Sequence, residues 1–192
     1  MAQHTRRAIQ RAFVQLLSEM PFDRISVVGI ARESEVTRNT IYYYYEDVYA
    51  LLGSILDLDR EELINECNGC SWQDYYLKTA AYSSRKKREI NNIRSCDSGR
   101  AREMLYNFYY SILRYGMENY VRKEADGLDI TEGDMQALIE FNTTALYGIL
   151  DDWISDGMKN DAESHIQCLN RMLKGNVRSA LERVNRTEKK DQ

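Results

Sequence analysis

Residues 26–45 read Ser-Val-Val-Gly-Ile-Ala-Arg-Glu-Ser-Glu-Val-Thr-Arg-Asn-Thr-Ile-Tyr-Tyr-Tyr-Tyr. Ser26 is a good N-cap, because its short side-chain oxygen can accept from a free amide of the first helical turn. It opens a helix over 27–34 whose buried face is Val27, Ile30 and Ala31. Gly29 weakens that helix by about 1 kcal/mol relative to alanine. Val36, apolar among polar neighbours, points inward from the turn that follows. Thr37 caps a second helix over 38–44. Ile41 and Tyr45 are four apart and share one face, the core contact. Four consecutive tyrosines span more than one turn, so Tyr42–Tyr45 cannot all be buried. The far side then presents Arg38, Asn39, Tyr42 and Tyr43, with Thr40 and Tyr44 at its flanks. Two short helices joined by a tight turn, the second polar and aromatic on its free side, form a helix-turn-helix of the kind that lays one helix in a DNA major groove.

The flanks extend the pattern. Upstream, Ile9, Phe13, Leu16 and Leu17, widened by Ala8 and Ala12, make the apolar stripe of a helix over 5–19. Arg6, Arg7 and Arg11 lie off that stripe near the helix start, where the dipole does not favour cations. A phosphate partner and plain solvation both fit them. Pro21 stops the helix and Phe22 folds back into the core. Downstream, Asp47 caps a helix to Glu66 with Val48, Leu51, Leu52, Ile55 and Leu58 as its stripe. Cys67-Asn-Gly-Cys70 ends it.

The rest repeats one theme, amphipathic helix and short polar break. Ser71 caps a helix through Ser83, and a short helix follows over 84–95. Ser98 opens a long helix to Lys123, apolar on two faces and so buried on two sides. Thr131 caps another that Gly157 ends, and a last helix runs Asp161–Val184. The tail 185–192 is charged and frayed. Proline occurs once in 192 residues, which leaves helix interiors uninterrupted. The expected fold is all-α. Residues 1–50 form a DNA-binding head with a helix-turn-helix, and residues 51–192 a helical body for dimerisation and effector binding.

The charge is divided accordingly. Net charge is −4, but residues 1–45 hold six arginines against four acids, leaving the remainder at −6. A mildly basic head on an acidic body fits DNA binding through the head alone. No apolar run is long enough to span a membrane. The N-terminal residues lack a signal-peptide core, so a cytoplasmic location is expected.

Enzyme chemistry finds little support. The two histidines, His4 and His165, stand at opposite ends, and no nucleophile–base pair is in view. No catalytic residue, cofactor or metal is assigned. Cys67-x-x-Cys70 and His165-x-x-Cys168 could hold zinc only if two helices met. A metal- or thiol-responsive role for Cys67 and Cys70 remains an alternative. Tyr75, Tyr82, Tyr106, Tyr109, Tyr110, Phe141 and Tyr147 are candidates for a ligand cavity, since buried tyrosine hydroxyls need partners; core packing is the competing account. Leu146, Leu150, Trp153, Ile166, Leu169, Leu173 and Val177 lie on stripes too long for one small core. They suit a four-helix bundle formed with a second copy across a two-fold axis.

Phe22-Asp23, Ser26-Val27, Ile30-Ala31, Val36-Thr37-Arg38, Thr40-Ile41-Tyr42, Tyr45 and Ala50-Leu51-Leu52 together resemble the N-terminal domain of TetR-type transcriptional regulators, over residues 5–56. The resemblance implies an all-α homodimer on a palindromic double-stranded operator, a repressor released by a small-molecule effector. Carried over by position, Ser26 and Thr37 meet phosphates. Arg38, Asn39, Thr40 and Tyr42 face base edges, and Tyr43 and Tyr44 brace the backbone. The chain departs from the family at Val48, where lysine is usual, and at Val28, Asn39 and Tyr44. The alternative is a co-regulator acting mainly through protein partners.

Overall fold

A computed structural model describes residues 2–67 and 69–186. Among them the regular structure is helical: α1 Ala2–Glu19, α2 Val27–Glu33, α3 Arg38–Tyr44, α4 Val48–Glu66, α5 Trp72–Arg85, α6 Lys87–Arg94, α7 Gly99–Glu124, α8 Glu132–Ser155, α9 Ala162–Leu173 and α10 Asn176–Val184. A single 3-10 turn, Phe22–Arg24, links α1 to α2. No described helix is long and apolar enough to cross a membrane.

The caps act where the sequence places them. Ser26 Oγ accepts from the Gly29 amide at 3.2 Å, and Thr37 Oγ1 from the Thr40 amide at 3.2 Å. Asp47 Oδ1 accepts from Ala50 at 2.6 Å, and Thr131 Oγ1 from Asp134 at 2.9 Å. Ser71 and Asp74 cap reciprocally, the Ser71 amide donating to Asp74 Oδ2 at 2.9 Å. These bonds from Ser71 hold the Asp74 carboxyl below its ordinary value, because they favour the charged form.

The chain forms two compact units. The first joins the described residues up to Glu62 with Arg85–Phe108; the second joins Leu63–Ser84 with the described residues from Tyr109 onward. The division expected at residue 50 concerned function; compactness draws a different line, because α6 packs along α1. Ile90 and Ile93 of α6 are buried together with Ile9, Phe13 and Leu17 of α1. The Asn92 side chain donates to the Leu17 carbonyl at 2.9 Å. Phe22 is buried as expected, its ring 6.3 Å from Phe13 and 5.0 Å from Tyr49.

Leu58 is a correction. It was expected in the stripe of α4 but is half exposed, while Leu51, Leu52, Leu56 and Leu63 are buried. Beside Leu58 and Ile55, α1 turns Arg7, Gln10 and Arg11 toward α4, and an open groove of about 570 Å³ is left between them.

In the second unit α5 and α7 touch closely. A Cβ at Gly116 would lie 2.7 Å from the Tyr75 ring, so only glycine admits that ring. Ser83 Oγ and the Tyr109 hydroxyl are 2.9 Å apart in a hydrogen bond. α8 buries Ile139, Thr143, Leu146, Leu150 and Ile154.

The expected single helix over 161–184 is a second correction. Gly175 takes φ +81, a left-handed conformation that glycine adopts without steric cost. It separates α9 from α10. Asp161 does cap α9, accepting from the amides of Glu163 at 3.2 Å and Ser164 at 3.1 Å.

Candidate nucleic-acid interface

Helix α3 is two turns long and is held at both ends. Thr37 caps its start, and at its end the Tyr45 amide bonds back to the Ile41 carbonyl at 2.9 Å. Ile41 is 2% exposed and Tyr45 5%. Between them in the helical phase, Tyr42 is 56% exposed and Tyr43 82%. Arg38 and Asn39 are exposed as well, and Thr40 and Tyr44 are half-buried. The Tyr43 and Tyr44 rings meet edge to face at 5.0 Å, which limits the freedom of both. One face of α3 is therefore anchored and the other is offered outward as a row of hydrogen-bonding and aromatic groups.

The two hydroxyls at the helix start are partly committed. Thr37 Oγ1 and Thr40 Oγ1 lie 2.8 Å apart, and Ser26 Oγ already serves its own cap. Accepting a cap amide leaves the Ser26 proton for a phosphate, whereas the Thr37–Thr40 pair spends one proton between its two oxygens and so has one left to donate. Glu35 closes the turn before α3 at φ +55, and the Val36 amide bonds to the Ala31 carbonyl at 3.1 Å.

Sequence reasoning missed how α1 joins this site. Arg6 Nε donates to the Tyr45 hydroxyl at 3.2 Å, and its guanidinium carbon stands 5.8 Å from the centre of that ring. Arg6 thus has an internal partner and braces the end of α3. Arg7 and Arg11 line the open groove beside α4. A tyrosine at the C-cap of one helix and an arginine 39 residues earlier leave no periodic signal that could connect them.

The aromatic residues expected to line a ligand cavity are dispersed. Tyr75, Tyr82 and Tyr109 are buried in packing, Tyr106 is 40% exposed, and the Tyr110 and Tyr147 rings lie 6.5 Å apart. Phe141, at 71% exposed, lines the cavity that the second unit does contain. That cavity is about 510 Å³, walled by α8, α9 and α10 with Trp72, Met117 and Tyr120 at its back and Asn142, Asn170 and Arg183 among its polar groups. Leu146, Leu169, Leu173 and Val177, expected at a dimer face, also line it. Within the single chain Leu146, Leu150, Ile166 and Val177 are buried; Leu173 is 48% exposed, and Trp153 and Leu169 are half-buried.

The cysteines divide by environment. Cys67 is buried and its thiol is pushed up to about 11, because burial penalises the thiolate. Cys70 is exposed. The His165 side chain lies outside the described residues, as do residues 187–192 of the tail. Among the described residues no group of three or more His, Cys, Asp or Glu side chains is placed to hold a metal ion.

Comparison with known proteins agrees with this architecture. The solved structure of the dihydroxyacetone kinase operon activator DhaS superposes with a TM-score of 0.66 at 20% identity, over 94% of this chain and 98% of that one. NalD, the secondary repressor of the MexAB-OprM multidrug efflux pump in Pseudomonas aeruginosa, gives 0.60 at 19% identity over 90% and 96%. The fatty acid degradation regulator FadR from Bacillus halodurans gives 0.62 at 15% identity over 91% and 96%. These share the fold. In sequence, the chain is 32% identical over 79 residues to the HTH-type dhaKLM operon transcriptional activator DhaS of Lactococcus lactis subsp. lactis (strain IL1403), a match that spans 41% of this chain and 42% of that relative. Residues 71–175, more than half of the chain, match the family model for a TetR transcriptional regulator C-terminal region. The chain belongs to the TetR family of transcriptional regulators.

Proposed function

We propose that the protein is a homodimeric, DNA-binding transcriptional regulator, acting in the cytoplasm on a palindromic operator and not as an enzyme. The observation that carries this reading is the division of α3: Ile41 and Tyr45 hold the helix down while Arg38, Asn39, Tyr42 and Tyr43 stand free. Arginine reads guanine in bidentate fashion, and a tyrosine or threonine can touch a thymine methyl while its hydroxyl finds a phosphate. Regulators of the family bind DNA operators as dimers. The face of α8 and α9 that leaves Phe141, Met172 and Leu173 exposed supplies the pairing surface, and the cavity whose rim Phe141 and Leu173 share, with its mixed apolar and amide lining, receives a small-molecule effector.

Selection of bound DNA from a random pool with the purified protein tests the reading. A palindromic consensus is expected. A Thr40→Ala, Tyr42→Ala double variant should keep its helical content and dimeric size yet lose that DNA. Wild-type affinity in the double variant would falsify the assignment.

The sign of regulation follows the family's commoner mode, repression with release by the effector. Activation is the second reading, favoured by the likeness to the Lactococcus relative, an operon activator. A promoter–reporter fusion with and without the protein separates the two.

A further inference from the structure

The first turn of α4, directly after the reading helix, holds Val48, Tyr49, Ala50 and Leu51 and so carries no cation of its own. A cation nevertheless stands there. Arg100, at the start of α7, reaches the α4 N-cap with Nη1 3.3 Å from Asp47 Oδ2. Its guanidinium carbon lies 4.4 Å from the centre of the Tyr49 ring. The segment before it is fastened to the same neighbourhood. Ser98 Oγ and the Tyr49 hydroxyl are 2.9 Å apart, and the Asp97 amide donates to Asp23 Oδ2 at 3.5 Å, in the turn that leads into Ser26. Residues 97–100 are thereby pinned between the entrance of α2 and the entrance of α4, the two helix starts that flank the reading helix.

We propose that Arg100 is a DNA phosphate contact, contributed to the reading head by a helix outside the helix-turn-helix. The proposal rests on the head reading DNA as described above. Stacking on Tyr49 occupies the flat face of the guanidinium and leaves its N–H edge available. Of its five donors, the bond to Asp47 engages one. The side chain is 62% exposed, and that of Asp47 42%, so the ion pair is open to water and worth little on its own. In free protein Asp47 parks the guanidinium; on DNA a backbone phosphate takes the place of the carboxylate. Such contacts position a protein on the duplex without reading sequence.

The alternative is a latch that merely ties α7 to α4. Two variants of the full-length protein separate the accounts, titrated on operator and on unrelated DNA over a series of salt concentrations. Arg100→Ala should weaken binding roughly tenfold on both DNAs and lower the slope of log K against log salt by about 1 for each head. Asp47→Asn keeps an acceptor for the Ala50 amide but removes the competing charge, so it should strengthen binding. Combined with Arg100→Ala it should have no such effect. A latch predicts the reverse: both single variants weaken binding and the salt slope stays at its wild-type value. That result overturns the assignment of Arg100 and leaves the regulator intact. If wild-type protein selects no DNA at all, the reading of the head fails and Arg100 with it.

Discussion

A single hydroxyl offers a direct check on packing in the second unit. Thr143 is fully buried in α8 and its Oγ1 has no hydrogen-bond partner among the described residues. A buried hydroxyl left unpaired costs about 1–3 kcal/mol, and valine has nearly the same shape without it. Thr143→Val should therefore raise the stability by about 1 kcal/mol and the melting temperature by about 2–4 °C, read by calorimetry. At this scale much was legible. The separation of Ile41 and Tyr45 from Tyr42 and Tyr43 follows from 100° per residue and needs no tertiary knowledge. Partners far apart in sequence were not legible: nothing local announces that Arg6 meets Tyr45 or that Arg100 meets Asp47. Leu58 failed for a related reason, since its phase is right but the wall opposite it is built of Arg7, Gln10 and Arg11.

Among elements, the contact of α5 with α7 is the most sensitive. A methyl at position 116 would stand 2.7 Å from ring atoms of Tyr75 and 2.9 Å from its Cβ, which is the root of the side chain and has little room to swing away. Gly116→Ala should destabilise the protein by about 1–3 kcal/mol, measured by urea unfolding. Adding Tyr75→Leu should recover part of that loss, because the ring is the obstacle. Helix starts were readable because serine, threonine and aspartate act through local bonds to the next turn. The break between α9 and α10 was not. Ile166, Leu169, Leu173, Val177 and Leu181 continue in phase across Gly175, so the apolar stripe conceals an interruption that only the sign of one backbone angle reveals.

For the whole molecule, the proposed function makes pairing the decisive property, since a mildly basic head binds weakly unless a second is held beside it. Phe141 and Leu173 are exposed apolar side chains on α8 and α9. On the proposed pairing, Phe141→Asp with Leu173→Asp should leave each chain folded, give a monomer in sedimentation where the unaltered protein gives a dimer, and lower operator affinity by roughly 100-fold through lost avidity. The fold class was legible from the single proline and the repeated caps. The lining of the cavity in the second unit was legible only in part: Phe141 lies on it, whereas tyrosine content says only that hydroxyls need partners, and Ser83 already serves Tyr109. The cavity that exists depends on how α8, α9 and α10 diverge, which periodicity does not encode.

That cavity has a practical corollary in light emission. The chain has two tryptophans, Trp72 and Trp153, and both belong to the second unit. Trp72 forms part of the cavity wall, whereas the Trp153 indole donates to the Asn160 carbonyl at 2.8 Å. With Trp153→Phe the molecule keeps one indole emitter, set in the wall of the proposed effector cavity, and none in the head. Occupancy of the body then registers as a spectral shift to which the reading helix contributes nothing, while dye-labelled DNA reports the head in a separate channel of the same sample.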